Sequence, residues 1–299
     1  MILDETVDWY AIAAHISETT GQYFEIQTHY SIDGSSISSV YRVEGTEQNY
    51  LVKINTTDRL DMFAAEADGL TELSQPLIIK VPAPLCWGTV GKHAYLVLQY
   101  LTLHGDTYVA GISLGQQLAA LHQITQATFG WHRHNYIGLT PQINTLEDNW
   151  VKFWQMHRLG FQLALAAKNG YTGALQSQGE CLLAEVGKFF SDYQPLPSLL
   201  HGDLWSGNYA IDTHGQPVVF DPAVYYGDRE TDIAMTQLFG GFPQRFYDAY
   251  QERFPLDPGY SVRKILYNLY HTLNHLNIFG GTYLEQAQRM IAMLLSELH

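Results

Sequence analysis

The sequence is short of positive charge. Its 299 residues include 16 Lys and Arg against 30 Asp and Glu, a formal net charge of −14. A chain of that balance is a poor match for nucleic acid or an anionic membrane surface as its main partner. A nucleotide stays open, because a phosphate site needs local charge and a divalent cation rather than a basic protein. Lysine is the scarcest of the charged residues, with seven copies, so a Lys inside a strand draws notice. There are two cysteines, Cys86 and Cys181, far apart and in no CxxC pair. They are expected to be free thiols in a reducing, cytoplasmic setting. No uncharged apolar run reaches the length of a membrane span. The opening Met1-Ile2-Leu3-Asp4-Glu5-Thr6 has neither a basic nor an apolar stretch, so no signal peptide is expected. Repeats, low-complexity tracts, GxGxxG and Walker A patterns are all missing.

What is present is a core's worth of apolar residues, 46% of the chain, in a changing rhythm. Trp9, Ile12, Ala13 and Ile16 keep helical spacing up to Gly21. Glu25–Tyr30, Ser39–Val43 and Tyr50–Ile54 alternate as strands, with Asp33-Gly34-Ser35-Ser36 and Gly45-Thr46-Glu47-Gln48 as turns. A helix is expected over Asp58–Leu73, then extended pieces broken by Pro76, Pro82 and Pro84, then a strand through Ala94–Tyr100. Beyond Leu101 the rhythm is mainly helical: Asp106–Gln123, Leu146–Lys168, Ala174–Tyr193 and most of Asp228–Leu298, with a polar and aromatic loop over Phe129–Pro141. The expected architecture is α+β in two lobes. Residues 1–101 form an antiparallel β-lobe with one internal helix, and 102–299 a larger helical lobe.

The chemistry concentrates in His201-Gly202-Asp203-Leu204-Trp205-Ser206-Gly207-Asn208 and in Asp221, which ends the apolar strand Val218-Val219-Phe220. An Asp, an Asn five residues on and a second Asp after the next strand make the core of a kinase-type site. Asp203 can take the proton of an attacking hydroxyl. Asn208 and Asp221 offer hard oxygen ligands for Mg²⁺. Lys53 near a strand end, with Glu66 on the following helix, can hold the phosphates of ATP. The turn with Gly34, Ser35 and Ser36 is small enough for backbone N–H groups to approach those phosphates, although an ordinary hairpin turn would read the same way. His201 is expected to brace the loop. His271 and His275 have the i, i+4 spacing of a zinc pair, but without the Glu of HExxH they read as packing residues. Ser206 lacks the strand–GxSxG–helix setting of a hydrolase nucleophile.

HGDLWSGN at 201–208, with Phe220-Asp-Pro-Ala223, Tyr225-Tyr-Gly-Asp-Arg-Glu230, Asp232-Ile-Ala-Met235 and Phe63-Ala-Ala-Glu66, resembles the fructosamine kinase (ketosamine-3-kinase) family. That family sits in the aminoglycoside-phosphotransferase and protein-kinase-like group, and the resemblance runs through nearly the whole chain. It implies ATP and Mg²⁺ between two lobes. It also implies transfer of phosphate to the 3-hydroxyl of a sugar-amine adduct, free or protein-bound, in repair of glycation. By match, Asp203 is the base, Asn208 and Asp221 the metal ligands, and Lys53 with Glu66 the phosphate-holding pair. Gln99, Tyr100 and Leu101 would meet the adenine. Trp205, Asp228, Arg229, His134, Asn135 and Tyr136 are expected to line the acceptor pocket. Competing readings are a kinase for another amine-bearing alcohol, aminoglycoside or choline-like, and a nucleotide-binding protein without activity. A protein kinase is disfavoured because no Ala-Pro-Glu block follows Asp221.

Overall fold

The computed structural model describes residues 7–32, 37–104 and 111–298. The first helix, α1 (Trp9–Thr20), is capped by Asp8, whose carboxylate accepts from Ala11 N at 3.0 Å, and stops at Gly21 with φ +67°. A five-stranded antiparallel sheet follows. It is built from β1 (Thr28–Ile32), β2 (Ser39–Glu44), β3 (Asn49–Thr56), β4 (Pro84–Val90) and β5 (His93–Gln99), in the order β1-β2-β3-β5-β4. The single internal helix, α2 (Leu60–Ser74), lies between β3 and β4 in sequence.

Strand alternation sorts the side chains onto two faces. Tyr50, Val52, Tyr95 and Val97 join Ile12 and Ile16 of α1 in a small outer core. Leu96 and Leu98 face the other way, onto Phe63, Leu70 and Leu73 of α2. Lys53, between Val52 and Ile54, therefore emerges on the α2 side and is itself buried. The inner core does not end with the β-lobe. The same apolar cluster continues through Leu114, Leu118, Trp150, Phe153, Leu200, Val224, Tyr267 and Leu273.

The helical lobe contains β6 (Leu103–His104), α3 (Gly111–Leu121), the hairpin β7 (Asn135–Ile137) and β8 (Thr140–Gln142), α4 (Trp150–Trp154), α5 (Gly160–Lys168) and α6 (Ala174–Glu185). Then come β9 (Ser198–Leu200), β10 (Tyr209–Asp212), β11 (Pro217–Val219), β12 (Tyr225–Gly227), α7 (Glu230–Thr236), α8 (Gln244–Arg253), α9 (Tyr260–Phe279) and α10 (Tyr283–Ser296). Its strands pair in short sets, β11-β10-β6 and β12-β9. Among the described residues no helix is long and apolar enough to cross a membrane.

Two local expectations change. The helix expected to start at Leu146 starts at Trp150, where the Asn149 side chain accepts from Lys152 N at 2.9 Å. It also carries a π-turn at Gln155–Leu159, where α4 passes into α5. The loop expected over Phe129–Pro141 contains the β7–β8 hairpin. The helix expected from Asp106 is described from Gly111, since 105–110 lie outside the described residues, as does the turn with Gly34, Ser35 and Ser36.

Candidate active site

The candidate catalytic loop is the link between β9 and β10, and its shape follows from the hairpin after it. Register pairs Tyr209 with Val219, so the residues just beyond, Asn208 and Phe220, face each other. Phe220 N donates to Asn208 O at 3.0 Å. Asp221, next along, is thereby placed beside Asn208. Its φ is +55°, a left-handed conformation that costs a non-glycine residue about 1–2 kcal/mol. That turn directs the exposed carboxylate back toward the sheet, where Asp221 Oδ1 meets Lys53 Nζ at 2.5 Å. The same ammonium reaches Glu66 Oε1 at 2.5 Å. Burial alone would lower the Lys53 pKa, but the charges of Asp221 and then Glu66 overcome it, so the ammonium is held above its ordinary value. Lys53, Glu66 and Asp221, 168 positions apart at the extremes, are thus one ion cluster.

His201 braces the loop as expected. Its Nδ1 accepts from Asp203 N at 3.2 Å, which leaves Nε2 to donate to Phe220 O at 3.0 Å. Burial lowers its pKa, so the ring is a neutral Nε2–H tautomer. Gly202 has φ +82°, and a Cβ there would sit 2.0 Å from Ala223 O, so no other residue fits. Asn208 Nδ2 donates to Asp203 O at 2.8 Å and reaches Asp203 Oδ2 at 3.4 Å. That leaves the Asn208 carbonyl oxygen and the exposed Asp221 carboxylate as a hard-oxygen pair suited to Mg²⁺, which keeps several waters and takes phosphate oxygens for the rest.

Asp203 itself is poorly compensated. Desolvation, then the charges of Asp221 and Asp232, push its pKa up to about 7, with only Asn208 opposing. A carboxylate poised there is matched to proton abstraction near neutrality.

Behind the loop is a residue that the sequence named within a family motif but gave no role. Asp232, on α7, is buried and accepts from His201 N and Gly202 N, both at 2.8 Å, and lies 3.2 Å from His122 Nε2. His122 Nδ1 in turn meets Tyr250 OH at 2.8 Å. The available signal was an acid heading the apolar run Ile233-Ala-Met235, because a carboxylate carried into the interior must find donors.

The expected acceptor residues separate. Trp205 is partly exposed, covers Gly207 and packs edge-on against Phe239 at 6.1 Å, on the open side of the loop. Asp228 does not reach the cleft. It is fully buried and accepts from Tyr193 OH at 2.9 Å, from Tyr267 OH and from Glu230 N at 3.0 Å. Arg229 also points inward, over the Phe254 ring at 3.7 Å and onto the carbonyls of Phe254 and Pro255. The physical reason is that β12 pairs with β9 and leads directly into α7, which turns this segment into the lobe interior. Asn135 is buried and donates to Val224 O at 2.8 Å. Tyr136 OH reaches Asp61 Oδ2 on α2 at 3.2 Å, while His134 is exposed and its Nδ1 accepts from Asn144 N at 3.0 Å. Gln99 ends β5, and Tyr100 and Leu101 follow it. Gln99 is exposed, and Tyr100 lies under the Arg42 guanidinium at 4.7 Å.

His271 and His275 are packing residues. Burial drives His271 down to about 3. His275 Nδ1 donates to His271 O at 2.8 Å, and its ring packs on Phe239 and Tyr283. Among the described residues no group of three or more His, Cys, Asp or Glu is gathered for a metal.

Known proteins resemble the chain in sequence and in fold. The fructosamine kinase family model matches residues 8–297. A probable ketoamine kinase of Synechocystis is 48% identical over 296 residues, covering 99% of both chains. The chloroplastic protein-ribulosamine 3-kinase of Oryza sativa subsp. japonica is 36% identical over 275 residues, covering 91% of this chain and 80% of that one. The crystal structure of a Haemophilus somnus protein assigned as a fructosamine-3-kinase superposes with a TM-score of 0.89 at 30% identity, covering 96% of this chain and 97% of that one. An aminoglycoside phosphotransferase, solved with ADP and hygromycin B, shares the two-lobed fold at 14% identity and a TM-score of 0.65, covering 96% and 98% of the two chains. A family match across the chain and relatives at this identity leave one assignment: this chain belongs to the fructosamine kinase family.

Proposed function

We propose that this protein transfers the γ-phosphoryl group of ATP to the 3-hydroxyl of a ketosamine, a fructosamine or ribulosamine borne on a free or protein-bound amine. The observation that carries the reading is the meeting of Asp203 and Asn208 with the Lys53–Glu66–Asp221 ion cluster at one place between the lobes. Relatives named ketoamine kinase and protein-ribulosamine 3-kinase support the acceptor class.

In the step itself, the sugar oxygen attacks the γ-phosphorus as its proton passes to the Asp203 carboxylate. The bond from that phosphorus to the β,γ-bridging oxygen breaks, and ADP leaves. Asn208 and Asp221 would hold Mg²⁺, which supplies charge neutralisation at the phosphate oxygens. Lys53 shifts from bridging two carboxylates to holding phosphate, with Glu66 keeping it in place. Asp232 and His201 keep the Asp203 backbone from moving during proton transfer. Trp205 offers a flat face beside the base for the sugar or its amine substituent. The net charge of −14 favours a cationic amine and disfavours an already phosphorylated sugar.

The test is ADP release from purified protein given ATP, Mg²⁺ and a synthetic ribulosamine or fructosamine, with the phosphorylated position assigned by NMR. Turnover of an aminoglycoside or a choline-like alcohol with neither adduct consumed would move the acceptor assignment to those classes.

A further inference from the structure

The β7–β8 hairpin was expected to cover the acceptor, yet its side chains reach in two other directions. Toward the β-lobe, Arg133 forks across α2: Nη2 donates to Asp61 Oδ1 at 2.7 Å and Nη1 to Asp68. Tyr136 OH adds a bond to Asp61. Toward the catalytic centre, Asn135 Nδ2 holds Val224 O at 2.8 Å and Gln142 Nε2 holds Ala223 O at 3.0 Å, just past Asp221. The hairpin is stiffened from within. Asn144 Nδ2 donates to Asn135 Oδ1 at 2.8 Å and to Arg133 O at 3.1 Å, and buried Arg158 donates to Asn144 Oδ1 at 2.8 Å.

The geometry of α2 says what this grip controls. At 100° per residue, Asp61, Asp68 and Glu72 fall within about 40° of arc, and Glu66 lies about 140° round from Asp61. Glu72 is held too, accepting from Tyr226 OH at 2.7 Å. Gly69, about 80° round from Asp61, adds close packing, since a Cβ there would lie 3.2 Å from Val224 Cγ2. One stripe of the helix is therefore tied to the helical lobe, while a different side presents Glu66 to Lys53. Rotation of α2 about its axis would break the stripe contacts and swing Glu66 away together.

We propose that Arg133 is a positioning residue for phosphoryl transfer, setting the rotation of α2 so that Glu66 and Asp221 hold Lys53 at the same time. Arg133 touches neither nucleotide nor acceptor in this role. The ion cluster is then assembled by a rigid hairpin before nucleotide arrives, and Glu66 stays in place when Lys53 turns to phosphate. The inference rests on the phosphotransfer reading of the site but not on the identity of the acceptor.

The experiment compares wild type with Arg133→Met, which keeps the apolar stem, and with Arg133→Lys. A charge-reversal pair, Arg133→Glu alone and Arg133→Glu with Asp68→Arg, completes the set. Binding of a fluorescent ATP analogue with Mg²⁺ is measured without acceptor, alongside kcat, both KM values and Tm. Arg133→Met is expected to weaken nucleotide binding about tenfold through the misplaced Lys53. It should leave the acceptor KM unchanged and Tm nearly so, because half-exposed ion pairs add little to stability. Lysine should recover part of the loss, and Asp68→Arg should recover most of the Arg133→Glu loss. Unchanged nucleotide binding in Arg133→Met would overturn the proposal. So would equal losses in nucleotide affinity, acceptor affinity and Tm, or no recovery on charge reversal. A wild-type protein that binds the analogue but turns over no ketosamine would instead overturn the acceptor assignment, and the binding arm would still decide the role of Arg133.

Discussion

The chain holds two groups of acids out of bulk water, and they are treated in opposite ways. In the helical lobe, Asp228 accepts from two tyrosine hydroxyls and a backbone N–H, and Glu230 receives Arg263 through Nε at 2.7 Å and Nη2 at 2.9 Å. At the cleft, Asp203 has one long side-chain contact at 3.4 Å from Asn208 and lies in the field of two further carboxylates. His-Gly-Asp203 and Gly-Asp228-Arg-Glu230 look equally functional in sequence. The difference is satisfaction. A structural acid has its lone pairs occupied by donors, whereas a catalytic acid is left short of them, so that it will accept a proton. Asp232 stands between the two, fully satisfied itself but spending its bonds on the catalytic loop.

The sharpest way to break the contrast is at Asp203. Asp203→Asn removes the proposed base and should lower kcat about 10²–10⁴-fold in the ADP-release assay. Arg263→Met should do the reverse. It strands the Glu230 carboxylate in the interior, so unfolding in urea should show a loss of about 3–5 kcal/mol. The nucleotide KM of the remaining folded protein should be unchanged. Asp232→Asn should move both readouts, since an amide cannot accept from His201 N, Gly202 N and His122 together. A loss of about 1–3 kcal/mol is expected, with a fall in kcat.

The smaller effects concern pH. With Asp203 raised to about 7, kcat/KM should fall about tenfold per unit of acidification below that value, because the protonated carboxyl is no base. The stability sign is opposite. The native carboxyl holds its proton to a higher pH than an unfolded Asp, near 3.9, so its contribution to stability fades as pH rises from about 4 through 7. Asp203→Asn has no such loss. Its Tm should exceed that of wild type, and the gap should widen between pH 5 and pH 8. A gap that shrinks with rising pH would mean that donors outweigh burial at Asp203 and hold its carboxylate ionised.

Much of this layout was legible in the residues. Strand alternation placed Lys53, and helical periodicity over Asp58–Leu73 placed Glu66 within the next helix. The HGD…N…D spacing is a local hairpin property, so it survived translation into three dimensions. What failed was inference by proximity in sequence. Asp228 and Arg229 lie seven and eight residues past Asp221, yet strand pairing with β9 and entry into α7 turn them into the core. The His134–Tyr136 segment was recognised as a functional loop, but its partners are Asp61 and the carbonyl of Val224, which are distant in sequence. Buried polar anchors such as His122, Asn144 and Arg158 gave little warning, because one polar residue on an apolar stripe has no periodicity of its own.

The shared inner core has a thermodynamic consequence. Phe63, Leu70 and Leu73 of α2 belong to one apolar cluster with Leu118, Val224 and Leu273. A densely packed interior of this kind does not divide cheaply, so the two lobes should melt as one cooperative unit rather than in succession. Nucleotide bound at Lys53 should then raise the melting temperature recorded from tryptophans in the far lobe by the same amount as any probe in the sheet.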